Sequence, residues 1–404
     1  MRLSTANLYD ASIANLQRRQ QTLQTQQQQL TSGKRVAQAS DDPTGAARAE
    51  RALASIGRVD ANQRALEASR NSMTLAESAL GDANELMQQA RETMISAGNA
   101  SYSDAERKGL ANKLQGIRNQ LLAIANRPDG SGGYIFSGQG SANPPFLDQA
   151  AGVAYVGVAG QIQTGNLDNF QLTVDGRGAW EQARSGNGSF VTDANPNSID
   201  PTQPAKGWID AGRVTDPAAL TGQNYRIDIA GTAPAQTYSV TNTDTGAGVA
   251  GGAYKAGQSI DFDGLSVAVA GTPADGDNFS IAPATNSLKV FDVLDRAIGE
   301  LNTPLRNGAQ IQQSNSGRIR DMDAVMGNLQ NARSEVGEKL NNLDGTETRL
   351  AALKQYSTEE KSAAEDLDMT QGISDFQSQQ VGYDTALKTY ALVQRMSLFQ
   401  YIQG

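Results

Sequence analysis

Apolar residues recur every seven positions at Leu66, Met73, Leu80, Met87 and Met94, with Ser69, Ala76, Ala83 and Ala90 on the row between them. This spacing, sustained over more than four heptads, predicts a long helix held against a helical partner. The small residues on the second row let the partner approach closely. Asp42 can cap the first free amides and Pro43 suits the first helical position, so this helix is expected from about residue 43 to Gly98. A second helix opens with capping-box spacing at Ser103-Asp-Ala-Glu106 and carries Leu110, Leu114, Ile117, Leu121 and Ile124 on one face, ending near Arg127-Pro128. Phe291, Leu294, Ile298, Leu301 and Leu305 start a third stripe, interrupted near Pro304. Ile319, Met322, Met326, Leu329, Val336, Leu340, Leu343 and Leu350 form a fourth, broken by Arg333 and Glu347.

The two ends carry weaker patterns. Ile13, Leu16, Leu23 and Leu30 make a narrow stripe with Gln20 and Gln27 in phase, Leu8 precedes them, and Ser32-Gly33 marks a helix stop. At the other end Met369, Ile373, Phe376, Tyr383, Leu387 and Tyr390 repeat at three and four residues, with Gln380 in phase, followed by Leu392, Leu398 and Phe399. The two segments are expected to pair as a thin coiled coil that buries little area on its own. Between Arg19 and Lys34 there is no charged residue. Uncharged amides are cheaper to bury than ions, so this face is expected to pack against neighbouring copies of the chain.

Between these helical flanks the pattern changes. Residues 136–285 hold 22 of the 41 glycines, nine of the 12 prolines and both tryptophans. Short β-type runs at Gly152–Gly157, Phe170–Gly176, Tyr225–Ile229 and Ser266–Val269 alternate with turn signals there, which predicts an all-β segment shaped as an irregular barrel or sandwich. The expected class is therefore α+β and multidomain: a long antiparallel helical bundle or coiled coil built from both chain ends, with an inserted all-β domain. The expected domains are residues 1–38 with 360–404, residues 39–135 with 286–359, and the insertion at 136–285. The insertion carries six basic and 14 acidic residues, nearly the whole net charge of −9.

Composition removes much chemistry. The chain has no His and no Cys, which excludes imidazole general bases, thiol nucleophiles, disulfides and Cys/His zinc sites. The acidic balance argues against a nucleic-acid surface. No run of 18 apolar residues suggests a membrane span, and the first residues lack the apolar core of a cleaved signal peptide, which leaves a cytoplasmic location or export by another route. No enzyme activity, metal or cofactor is expected. Asp41-Asp42 before Pro43 reads as a helix cap. Asp261-Phe-Asp263-Gly264 and Asp275-Gly-Asp277-Asn278 share alternate oxygens with calcium loops but lack the terminal Glu of the 12-residue pattern, and read as β-turns. Gly138-Gln-Gly140 lacks the third glycine of a dinucleotide fingerprint. Lys34-Arg35 reads as solvated charge beside the turn at Gly33.

Leu30-Thr-Ser-Gly33-Lys34-Arg35-Val36 followed by Ala39-Ser40-Asp41-Asp42-Pro43 resembles the segment linking the first two helices of bacterial flagellins and hook-associated proteins. The tracts Ala97–Asp104, Leu121–Asn126, Gly133–Gly138 and Pro145-Phe146, and the ending Thr389–Leu392 with Met396–Tyr401, are similar to the hook-associated protein 3 family. Ala39 stands where that family usually has Pro. The resemblance implies a linker motif at Gly33, Lys34, Arg35, Ser40, Asp41, Asp42 and Pro43. It also implies a structural subunit of the flagellar hook–filament junction, exported through the flagellar type III apparatus with an export chaperone on the C-terminal helix. The implied assembly is a closed ring of about eleven copies, with the first hook-associated protein on the hook side and flagellin on the filament side. Flagellin itself is the nearest alternative. A more distant one is an extracellular glycan-binding module that uses Trp180 or Trp208 as a stacking platform.

Overall fold

The structure is a computed structural model that describes residues 2–99, 101–140, 142–164, 169–194 and 206–402, with side-chain surroundings from residue 10 to 392. The helices are α1 (Arg2–Ser32), α2 (Pro43–Ala97), α3 (Asp104–Ala125), α4 (Gly176–Glu181), α5 (Val290–Asn302), α6 (Gly308–Glu365) and α7 (Met369–Ile402). The chain divides into two compact units, residues 65–344 and residues 1–64 with 345–404.

In the 65–344 unit the heptad rows of α2 become the core. Leu66, Met73, Leu80, Met87 and Met94 are at most 2% exposed, and Ser69, Ala76, Ala83 and Ala90 are equally buried. From Met73 to Met94 these rows pack with Met322, Val325, Leu329 and Val336 of α6, Leu114 and Leu121 of α3, and Leu294 and Ala297 of α5. α6 runs antiparallel to α2, as the ion pairs Arg70–Asp344, Glu77–Arg333 and Arg91–Asp323 show by their opposed numbering. Arg333, which interrupts the fourth stripe, is thus spent on a flanking pair with Glu77 rather than on a helix break. α3 begins with the reciprocal Ser103–Glu106 capping box. Leu305 departs from its stripe: α5 ends at Asn302, and Leu305 lies beyond it, 79% exposed, because Pro304 cannot continue the helix.

The strands are β1 (Phe146–Gln149), β2 (Gly152–Tyr155), β3 (Gln163–Thr164), β4 (Phe170–Gln171), β5 (Ala183–Arg184), β6 (Phe190–Ala194), β7 (Gly207–Ile209), β8 (Arg213–Val214), β9 (Tyr225–Ala230), β10 (Thr237–Asn242), β11 (Gly248–Ala253), β12 (Ser259–Phe262), β13 (Leu265–Gly271), β14 (Asn278–Pro283) and β15 (Asn286–Leu288). A five-stranded antiparallel sheet in the order β11-β10-β9-β14-β6 faces a sheet of β12, β13 and β7, with β8 also on β13. Both contribute to one core of Tyr225, Ile227, Ile229, Val240, Val267, Val269, Phe279 and Ile281, so the expected sandwich is present. Its inward residues alternate with outward ones, as in Tyr225–Ala230, the period of two that a pleated strand imposes. The strand expected over Phe170–Gly176 is shorter than its pattern. Only Phe170 and Gln171 form a strand, on β3; Leu172 and Val174 bond singly to Ile162 and Ile135, Asp175 bridges Ser137, and the Asp175 carboxylate then accepts from the Arg177 amide and starts α4.

α4 delivers Trp180 into the helical core, where it is fully buried. Its ring stacks on Phe291 at 5.8 Å and meets Phe136 edge-on at 5.6 Å. A buried tryptophan offers no face to a sugar, so Trp180 is not a stacking platform; Trp208 is half-buried on the sandwich. Arg118 of α3, 6% exposed at its side chain, forks onto Asp148 of β1 at 2.7 and 2.8 Å and onto Asp295 of α5. Bidentate pairs of this kind fix orientation as well as contributing energy.

Candidate functional site

Chemistry-bearing clusters are sparse: among the described residues no group of three or more acidic side chains is placed to hold a metal ion, and no helix is long and apolar enough to cross a membrane. The two calcium-like tracts serve the fold. Asp263 and Gly264, both with positive φ, form the two-residue turn joining β12 to β13, and Asp263 accepts from the Tyr225 hydroxyl at 2.6 Å. Positive φ at both central residues is what a tight hairpin turn demands. Asp275 accepts from the Gly231 amide at 2.7 Å, and Asp277 from the Ala274 amide.

The singled-out residues instead gather in the 1–64 with 345–404 unit. There the linker between α1 and α2 crosses the linker between α6 and α7. Gly33, at φ +71°, ends α1 in the left-handed conformation, its amide bonded back to Gln29 at 2.8 Å. The chain then pairs antiparallel with the other linker: the Arg35 and Val36 amides donate to the Glu365 carbonyl, and the Leu367 amide donates to the Gly33 carbonyl at 2.9 Å. Lys34 meets the Glu365 carboxylate at 3.2 Å while its side chain stays exposed. Arg35 reaches the Ala364 carbonyl at 2.8 Å and the Asp42 carboxylate at 3.2 Å. Val36 is buried beneath this crossing.

The acidic pair closes the loop. Asp41 accepts from the Ala37 and Gln38 amides at 3.1 and 2.9 Å, and Asp42 caps α2 through the Thr44 and Gly45 amides at 3.1 and 2.9 Å. Gly45 leaves room for this cap: a Cβ would lie 2.6 Å from the Asp42 carboxylate, displacing it, and 3.2 Å from the Ala364 carbonyl. Pro43 takes the first helical position, and Ser40 is exposed. The Gly45 amide, joined by Arg35 and the Thr44 amide, holds the Asp42 carboxyl below the usual carboxylate range against an opposing desolvation. A depressed folded-state value stabilises the linker above the unfolded value and is lost as pH falls through the folded one. Protection of the Thr44 and Gly45 amides, measured relative to the intrinsic exchange rate at each pH, is therefore expected to fall on acidification below about pH 4. Asp42→Asn should keep the cap and lose that acid dependence; an unchanged acid profile would contradict this assignment.

α1 and α7 pack against one another beyond the crossing. Leu16, Arg19, Leu23, Gln26, Gln29 and Leu30 are half-buried on α1, and Phe376, Gln379, Tyr383, Ala386 and Tyr390 on α7. The seam phase therefore uses Arg19 and Gln26, while Gln20, Gln27 and Gln380, placed in the stripe by spacing alone, are exposed. Arg19 lies over Gly382, which has no side chain to block it, and Leu30 lies over Gly372. Ile13, Met369, Ile373, Leu387 and Leu392 face away from the pair, 40–61% exposed. Leu8, Leu398 and Phe399 lie in the terminal helices, but their side chains are outside the described residues. Between residues 10 and 32, and between 369 and 392, no large apolar side chain is fully buried. The Gln26 Oε1 atom is enclosed with no hydrogen-bond partner, which weakens the seam further.

The partner of the linker motif went unread in the sequence. Ala364, Glu365 and Leu367 supply half of the crossing, and Asp368 caps α7 through the Thr370 and Gln371 amides at 2.9 and 3.1 Å. Asp368 directly before the apolar run from Met369 was the available signal, the same one that marks Asp42.

Residues 3–141 match the model of the bacterial flagellin N-terminal helical region, and residues 202–283 match the D2-like domain of flagellar hook-associated protein 1. Flagellar hook-associated protein 3 of Escherichia coli (strain K12) is 25% identical over 99% of both chains. The protein of that description from Salmonella typhimurium is 36% identical over 160 residues, 38% of this chain, and the match spans 48% of that relative's length. The crystal structure of the flagellar junction protein FlgL from Legionella pneumophila superposes with a TM-score of 0.68 at 27% identity, covering 79% of this chain and all of that one.

Proposed function

From the premise that this chain belongs to the flagellin-like superfamily, on its hook-associated protein 3 branch, we propose that it is a structural subunit of the bacterial flagellum at the junction between hook and filament. The observation that carries the mechanism is the terminal helix pair, which exposes Ile13, Ile373, Leu387 and Leu392 while holding only a half-buried seam. Such a pair stabilises itself little, and burial of those side chains against sibling subunits supplies what it lacks. Each buried Leu or Ile contributes about 1.5–3 kcal/mol. Ordering is then coupled to docking, which slows premature polymerisation in the free subunit. The uncharged run from Gln20 to Gly33 supports the same reading, since it presents no ion to desolvate.

The relatives are structural flagellar proteins, and this chain's activity is its place in the stack rather than turnover. The finer assignments rest on the resemblance: export through the flagellar type III route, a chaperone on α7, a ring of about eleven subunits, and contact with the first hook-associated protein below and flagellin above. Flagellin as the alternative is disfavoured by the sandwich, whose residues 202–283 match a hook-associated domain. The test is deletion of the gene. Cells are expected to retain hooks, lose filaments and release flagellin monomers into the medium, and antibody labelling in complemented cells should mark one short collar. Label along the whole filament would instead make the chain a flagellin.

A further inference from the structure

The loop between α5 and α6 is held unusually firmly for a surface loop. Arg306, 8% exposed, donates to the Glu300 carbonyl at 3.0 Å, to the Gln310 carbonyl at 2.6 Å and to the Ser314 hydroxyl. Asn307 and Gln310 bond reciprocally, each accepting the other's backbone amide at 2.9 Å. The Leu305 amide donates to the Asp104 carboxylate at 3.1 Å. All this fixation presents Pro304 and Leu305 to solvent. Leu305 has φ +60° and is 79% exposed. A branched aliphatic residue is disfavoured in that backbone region, and Gly or Asn would fit it without strain. Strain that its surroundings over-determine is characteristic of binding positions.

Elsewhere on the same unit lies a cavity of about 730 Å³ between the β5–β6 turn and α6. Ile319 and Ala324 give it apolar walls, and Gly186, Gly188 and Gly327 leave it unfilled. Arg184, exposed, borders it, as does Arg320, whose guanidinium is already engaged by Thr192 and by Asp321 at 3.8 Å. The one bordering carboxylate, Asp323, is already paired with Arg91 at 2.5 Å. Two exposed carboxylates flank the Leu305 tip, Asp104, which bonds its backbone, and Glu106 on the same first turn of α3.

The geometry points to a knob-and-hole contact between copies: Leu305 of one subunit enters the cavity beside Ile319 and Ala324 of the next, with Asp104 and Glu106 set against Arg184. This deepens the proposed function and rests on it, because the occupant is a second copy of this chain in the assembled collar. The contact joins two different patches and so propagates from subunit to subunit, as a ring requires.

The chain has no cysteine, so introduced pairs report without background. The double variant Leu305→Cys with Ala324→Cys is produced in cells lacking the native gene, and purified flagella are oxidised and immunoblotted without reductant. A ladder of cross-linked multimers is expected from the double variant, and none from either single variant. Incorporation without cross-linking would overturn the contact, as would dimers from Leu305→Cys alone, which mean that like patches meet. In parallel, Leu305→Asn, which tolerates the positive φ, should melt at or above the native temperature as a monomer while filaments shear off several-fold more readily. Unchanged shear resistance with normal incorporation would also overturn it. Absence of the native chain from purified flagella would overturn the junction reading itself, and the contact with it.

Discussion

Deleting residues 369–404 is expected to leave a soluble protein whose 65–344 unit is fully folded, yet incorporation into flagella falls to background and motility is lost. The two cores of the 65–344 unit contain no residue from α7, so its melting transition should be unmoved. What the deletion removes is the partner of α1 and the exposed row Met369, Ile373, Leu387 and Leu392. Left alone, α1 is a helix with Gln, Thr and Ser over most of its second half, too weakly self-supporting to stay ordered. Circular dichroism melting and immunoblots of purified flagella measure the two halves of the expectation. Normal incorporation of the truncated chain would place the assembly contacts elsewhere.

Replacement of Trp180 by Ala should have the largest effect on stability of any single substitution. The side chain is fully buried among Phe136, Phe146 and Phe291. Aromatic-to-alanine changes at such positions cost about 3–5 kcal/mol, because the cavity collapses only partly. At roughly 2–4 °C per kcal/mol for a large domain, the melting temperature should fall by on the order of 10 °C. The sandwich core is a separate cluster without Trp180, so far-ultraviolet signal from its strands should survive to higher temperature than the helical signal. A variant with native stability and lost carbohydrate binding would revive the stacking-platform reading that burial argues against.

The helical half was legible because its periodicity is strict. In α2, positions seven apart are all buried, and a helix that must meet a partner along its length has no other way to arrange them. The caps at Asp42 and Ser103 were legible for the same reason, since both use short side chains that accept from the first free amides. The Asp175 cap was not, because the alternating residues before it looked like a continuing strand. Leu305 was counted into a stripe already expected to be interrupted near Pro304, and the helix ends before it, at Asn302. At the terminal pair, spacing put Gln20 and Gln27 in the seam, whereas Arg19 and Gln26 sit there. A stripe so poor in apolar residues fixes its phase weakly, and contact with Gly382 on α7 decides it. Half of the linker crossing was unreadable for a plainer reason. Beyond the Glu365 carboxylate on Lys34, Glu365 and Ala364 act through backbone carbonyls, which no residue pattern encodes.

The central claim is that the terminal helices become fully ordered only against sibling subunits. Hydrogen exchange followed by mass spectrometry, on the free subunit and on purified assembled junctions, tests it directly. Amides of α1 and α7 are expected to exchange within seconds in the free subunit, to slow by at least ~100-fold in the assembly, and to do so while α2 and α5 remain equally protected in both. Full protection of α1 and α7 in the dilute free subunit would contradict the account.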